Sequence, residues 1–84
     1  MSRISQRVLD QIKSNILRVL YDEAPKALSA RQIALQELRD KEFVLVLLQD
    51  MEKARLVKNV SAPSSRRKQW VMTDTAYKKY TELL

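Results

Sequence analysis

The chain has 84 residues, 45% hydrophobic and 31% charged, a balance that suits one small folded domain over residues 1–84 and excludes a disordered chain. It holds no cysteine, histidine or glycine, which excludes disulfides, thiol or imidazole chemistry at a catalytic or metal centre, and glycine-dependent phosphate loops. Sixteen basic against ten acidic residues leave a net charge of +6, which favours a polyanionic partner.

No constellation of catalytic residues with activating neighbours stands out, so the chain reads as a non-enzyme without metal, cofactor or small-molecule ligand. The longest apolar run, Phe43 to Leu48, is six residues, far short of the ~20 of a membrane span. No signal-peptide pattern follows Met1, and the expected location is the cytoplasm, on the nucleoid if the polyanion is DNA. The charge is uneven. Residues 1–26 carry five basic and three acidic groups (+2), residues 27–57 five of each (zero), and residues 58–84 six and two (+4).

Val8, Ile12, Ile16 and Val19/Leu20 recur at three- and four-residue steps, so the spacing predicts an amphipathic helix from about Ile4 to Asp22, ended by Pro25. Ser29 and Gln32 form a capping-box pattern, with Leu28 and Ile33 as its hydrophobic staple, opening a short helix from Ala30 to Leu38. Asp40 caps a third helix almost at once, with Val44, Leu47/Leu48, Met51 and Ala54 on one face. The run Phe43–Leu48 also fits a buried strand, but its flanks are helix-forming and hold no breaker.

The period then shortens. Leu56 to Ser61 and Gln69 to Met72 read as two strands around the polar tip Ala62-Pro63-Ser64-Ser65-Arg66-Arg67-Lys68, making a hairpin. Thr73 or Asp74 caps a last helix with Ala76, Tyr77, Tyr80 and Leu84 on one face. The class is α+β: three helices, a hairpin and a C-terminal helix, the second and third helices joined tightly as in a helix-turn-helix.

From about Ile12 to Tyr80 this pattern resembles the winged-helix family, most closely the DNA-binding lobes of MarR-like and PadR-like regulators. Leu28-Ser29-Ala30-Arg31-Gln32-Ile33-Ala34 is similar to the opening of the family's helix-turn-helix. Leu48-Gln49-Asp50-Met51-Glu52-Lys53-Ala54-Arg55-Leu56-Val57 resembles the end of its recognition helix and the first wing strand. Arg66-Arg67-Lys68-Gln69-Trp70-Val71-Met72-Thr73-Asp74-Thr75-Ala76 is similar to the wing tip, return strand and capped last helix. The resemblance implies a third helix in the major groove of duplex DNA and a wing on the adjacent backbone.

Two positions depart from the pattern. Arg55 stands where the family usually has glycine before the wing strand. Leu45 and Val46, beside Glu42 and Asp50, stand where the recognition helix usually offers polar groups to base edges.

The candidate DNA-contacting residues are therefore Arg66, Arg67 and Lys68 on the wing, Arg31, Arg39 and Lys41 around the turn between helices, and Gln49 on the third helix. Each has a plainer reading as solvated surface charge, paired with Glu37 or Asp40 in the case of Arg31 and Arg39. Leu45 and Val46 are candidates for a protein interface or, equally, core. Tyr77 and Tyr80 are candidates for a dimer seam or for packing on the first helix. Trp70 reads as core before it reads as a base-stacking platform. The function expected is a small winged-helix DNA-binding protein, a transcriptional regulator acting as a homodimer. The alternative is a winged-helix protein–protein module docking through the third helix.

Overall fold

The computed structural model describes residues 5–84. Helix α1 runs Gln6–Glu23, strand β1 Leu28–Ser29, α2 Ala30–Glu37, α3 Lys41–Lys53, β2 Val57–Asn59, β3 Gln69–Met72 and α4 Asp74–Leu83. The expected order of helices and hairpin is present, with one strand added. The beginning predicted for the first helix at Ile4 lies outside the described residues. The observed helix is capped by Ser5, whose side chain accepts the Val8 N–H.

The capping signals hold at atomic level. Ser29 Oγ accepts the Gln32 N–H at 3.2 Å while Gln32 Oε1 accepts the Ser29 N–H at 2.9 Å, closing the capping box. Asp40 Oδ2 accepts from the Glu42 and Phe43 N–H groups at the start of α3. Thr73, not Asp74, caps α4.

A single cluster of buried side chains forms the core. Ile12, Ile16 and Leu20 of α1 meet Ile33 and Ala34 of α2, Val44, Leu47, Leu48 and Met51 of α3, and Val57, Trp70 and Met72 of the sheet. The Phe43–Leu48 run is thus helical: Val44, Leu47 and Leu48 enter the core, Phe43 and Leu45 pack partly buried against it, and Val46 is exposed. Fully burying each large side chain contributes about 1.5–3 kcal/mol.

Four residues assigned to the apolar faces are exposed, among them Tyr77, which covers Tyr21 with one side of its ring and leaves the rest open. Val8 is 41% exposed because the first turns of α1 project beyond the packed layer. Ala54 is exposed because α3 ends at Lys53. Leu84 is exposed as the closing residue of α4.

Helix α3 stops without glycine. Arg55 adopts φ 62°, its N–H donates to Glu52 O and the Leu56 N–H donates to Met51 O, the two bonds of a Schellman turn. Leu38 ends α2 in the same left-handed conformation, at φ 54°, but there its own N–H and that of Arg39 both donate to Ala34 O.

The sheet order is β1-β3-β2, all antiparallel. Leu28 pairs with Trp70 and Ser29 with Gln69, while Val57 pairs with Met72 and Asn59 with Trp70. Strand β2 is shorter than the predicted Leu56–Ser61: the Leu56 N–H closes the end of α3 on Met51 O, and after the Val60 N–H has donated to Gln69 O, the Ser61 N–H turns back to Asn59 Oδ1.

Candidate functional site

The register of β1 against β3 builds the site. Ser29 immediately precedes α2 and pairs with Gln69, which immediately follows Arg66-Arg67-Lys68. The wing's basic tip is therefore held beside the N-terminus of α2 and not projected away from the domain. The three-residue connection Leu38–Asp40 brings the first residue of α3, Lys41, to the same place.

A cavity of about 180 Å³ opens there. Its cationic wall is Arg31, Lys41, Arg66, Arg67 and Lys68; Ser29 and Ala30, Leu45 and Trp70 complete it. No carboxylate lines it. Among the described residues the one ion pair is Arg18–Asp22 at 3.9 Å, so none of the five cations is neutralised by a partner, and the expected pairing of Arg31 or Arg39 with Glu37 or Asp40 does not form. Asp40 instead spends its carboxylate on the N–H groups that open α3.

Trp70 is 1% exposed and gives the cavity an apolar wall. It is core, and its burial rules out stacking on a base. Its Nε1, also buried, donates to no acceptor among the described residues. Concave, uncompensated positive charge beside the first N–H groups of a helix attracts oxyanions, and a duplex backbone supplies them in series.

Five of the seven residues selected from the sequence as DNA-contacting converge on this cavity, and two do not. Arg39 is exposed in the turn between α2 and α3, where its N–H donates to Ala34 O at 3.0 Å. Gln49 is exposed further along α3.

The candidate interface residues separate. Leu45 is half-buried, packs against the core and lines the basic cavity, whereas Val46 is 55% exposed. Tyr77 stacks on Tyr21 with ring centroids 4.7 Å apart, and Tyr80 meets the same ring at 4.7 Å. Both tyrosines therefore pack on α1, with Tyr77 remaining 41% exposed.

What sequence reasoning missed is the strand that assembles the cavity. Its signal, an apolar residue followed by the capping serine, was absorbed by the helix start.

No family model matches the chain, and no curated protein matches it. Solved structures do. A variant of MepR from a multidrug-resistant S. aureus clinical isolate is 26% identical, with a TM-score of 0.74 over 86% of this chain and 53% of that one. The S. aureus MepR–DNA complex is 24% identical, with a TM-score of 0.73 over 89% of this chain and 68% of that one. A variant of Lactococcus lactis ZitR is 20% identical, with a TM-score of 0.73 over 99% of this chain and 56% of that one. This chain spans about half the length of the MepR variant it matches. The fold common to them is the winged helix-turn-helix, in which β2, β3 and the loop between them are the wing.

Proposed function

We propose that this chain binds duplex DNA as a winged-helix transcriptional regulator, setting α3 toward the major groove and the wing on the phosphate backbone. The observation that carries this reading is the cavity where Arg31, Lys41, Arg66, Arg67 and Lys68 meet without a carboxylate. The likeness to a regulator solved on DNA supports it. Arg39 and Gln49 flank the contact, Arg39 toward the backbone and Gln49 toward base edges.

Recognition is dominated by the backbone. The exposed side chains of α3 include Glu42, Asp50 and Val46, two carboxylates that repel phosphates and a valine that reads little beyond a thymine methyl. Position on the duplex is therefore set by the cationic cavity and the wing, and sequence discrimination is low.

Two-fold dimers present two such heads to two half-sites, which multiplies affinity, and a homodimer is the assembly that fits this function. The open edge of Tyr77, with Tyr80 behind it, offers the seam. No catalysis belongs to the proposal, and its place of action is the compartment that holds the DNA. The alternative of a protein-docking module through α3 is not favoured, because Leu45 is taken into the core and cavity wall, which leaves Val46 without its apolar neighbour.

Duplex binding titrated against salt tests the proposal. Five phosphate contacts give a log–log slope of roughly −4 to −5, and Arg66→Ala with Arg67→Ala should shorten it by roughly 2. A flat salt response, or an unchanged slope in the double variant, overturns it.

A further inference from the structure

A second group of cations lies at the other end of α3 and is used by nothing described so far. Where α3 ends and β2 and α4 begin, a cavity of about 560 Å³ is lined by Arg55, Lys58 and Lys79, with Glu52 as its one carboxylate. None of the three cations is in an ion pair among the described residues. The Thr73 hydroxyl, on the same wall, donates to Arg55 O at 2.8 Å and fixes the backbone from which the guanidinium leaves. Arg55 itself is held at φ 62° by the Schellman turn, so its side chain departs from a fixed point and not from a frayed helix end.

The two cationic cavities share no residue. Lys41 opens α3 in the first, and Ala54 closes the same helix in the second. At 1.5 Å per residue the thirteen-residue helix between them is about 20 Å long. The two cationic cavities therefore lie at opposite ends of α3, about 20 Å apart along its axis.

We propose that the cavity lined by Arg55, Lys58 and Lys79 is a second duplex-binding site, so that one molecule bridges two segments of DNA. The inference rests on the proposed function, in that duplex DNA is already the ligand of the first site. The second site takes the phosphate backbone alone, since its wall offers point charges and hydroxyls and no element that enters a groove.

The test is capture of a second duplex by the full chain. A biotinylated duplex on beads is loaded with protein, and retention of a free fluorescent duplex is measured beside affinity for a single duplex. The wild-type chain should retain the second duplex. The variant combining Arg55→Gly, Lys58→Gln and Lys79→Gln should lose about tenfold in capture while single-duplex affinity and its salt slope stay within about twofold. Arg55→Gly alone, which suits the left-handed backbone, should already lower capture with no loss of thermal stability. Replacing Arg66 and Arg67 with Ala should weaken single-duplex binding as well.

Five results overturn the inference. Wild-type protein that holds the bead duplex but captures no second one leaves the proposed function standing without this site. Unchanged capture by the triple variant assigns bridging to two wings of a dimer. Equal loss of capture and single-duplex affinity means that one duplex spans both cavities. Failure to hold even the bead duplex sinks both readings, whereas retention of an acidic protein in place of the second duplex reassigns the cavity to that partner.

Discussion

Arg55 carries two burdens, a left-handed backbone and a charge. A side chain with a Cβ at φ 62° costs about 1–2 kcal/mol, whereas glycine gives back about 0.5–1 kcal/mol of that through its freer unfolded chain. Arg55→Gly should therefore raise stability by about 0.5–1 kcal/mol, read as a higher urea midpoint; a lower midpoint would mean that the guanidinium stem packs on the domain. Ser29 is the opposite case. It caps α2, pairs with Gln69 in the sheet and is itself buried, so Ser29→Ala leaves the Gln32 N–H without its acceptor. The expected loss is about 1 kcal/mol. An unchanged midpoint would show that the reciprocal bond from Ser29 N–H to Gln32 is sufficient alone.

Helix α4 is attached to the rest of the domain by few groups, which makes its joints legible. Thr73 holds one end: its Oγ1 accepts the Ala76 N–H at 3.2 Å and donates to Arg55 O, and its own N–H donates to Leu56 O at 3.1 Å. Tyr21 holds the middle and far end through the rings of Tyr77 and Tyr80 and through its hydroxyl, 2.9 Å from Thr81 Oγ1. Thr73→Ala removes a cap and a side-chain bond together and should cost about 2 kcal/mol, with Thr73→Ser restoring most of it. Tyr21→Ala should release α4 locally. Amides of residues 76–83 should exchange faster in deuterated water while those of α3 keep their protection. Uniform acceleration across both helices would show that α4 and the core open as one unit.

At the scale of the molecule the net charge of +6 is resolved into places. The zero net charge of residues 27–57 hides a separation: Arg31 and Lys41 join the wing at one end of α3, Arg55 stands at the other, and Glu42 and Asp50 stay on the exposed surface of the helix between them. Val46→Arg tests what that surface of α3 meets. Against DNA the added cation should hold or raise non-specific affinity and leave the sedimentation coefficient unchanged. If α3 docks a protein or a second subunit, the same change buries an unpaired charge and costs several kcal/mol of association, visible as dissolution of an oligomer.

How much of this fold is legible in the amino-acid sequence depends on the range of the interaction. Caps, helix periods and turn residues act within about four positions of one another, so the amino-acid sequence alone determined the helices, the capping box at Ser29 and Gln32, the hairpin with its basic tip, and the winged-helix order. It also contained the five cations that line the basic cavity, Arg31, Lys41, Arg66, Arg67 and Lys68. It did not contain their meeting. Leu28–Ser29 is too short to show an alternating pattern, and it becomes a strand only because β3, forty residues further on, offers Trp70 and Gln69 as partners. The assignment of Leu45 to the cavity wall and Val46 to solvent, of Tyr77 and Tyr80 to Tyr21, and of Arg55, Lys58 and Lys79 to one cavity was likewise left to tertiary packing. A local pattern states which face of an element is apolar. Which neighbour covers that face, and which distant charges end side by side, is settled only when the elements pack, because those contacts join residues that no sequence window contains together.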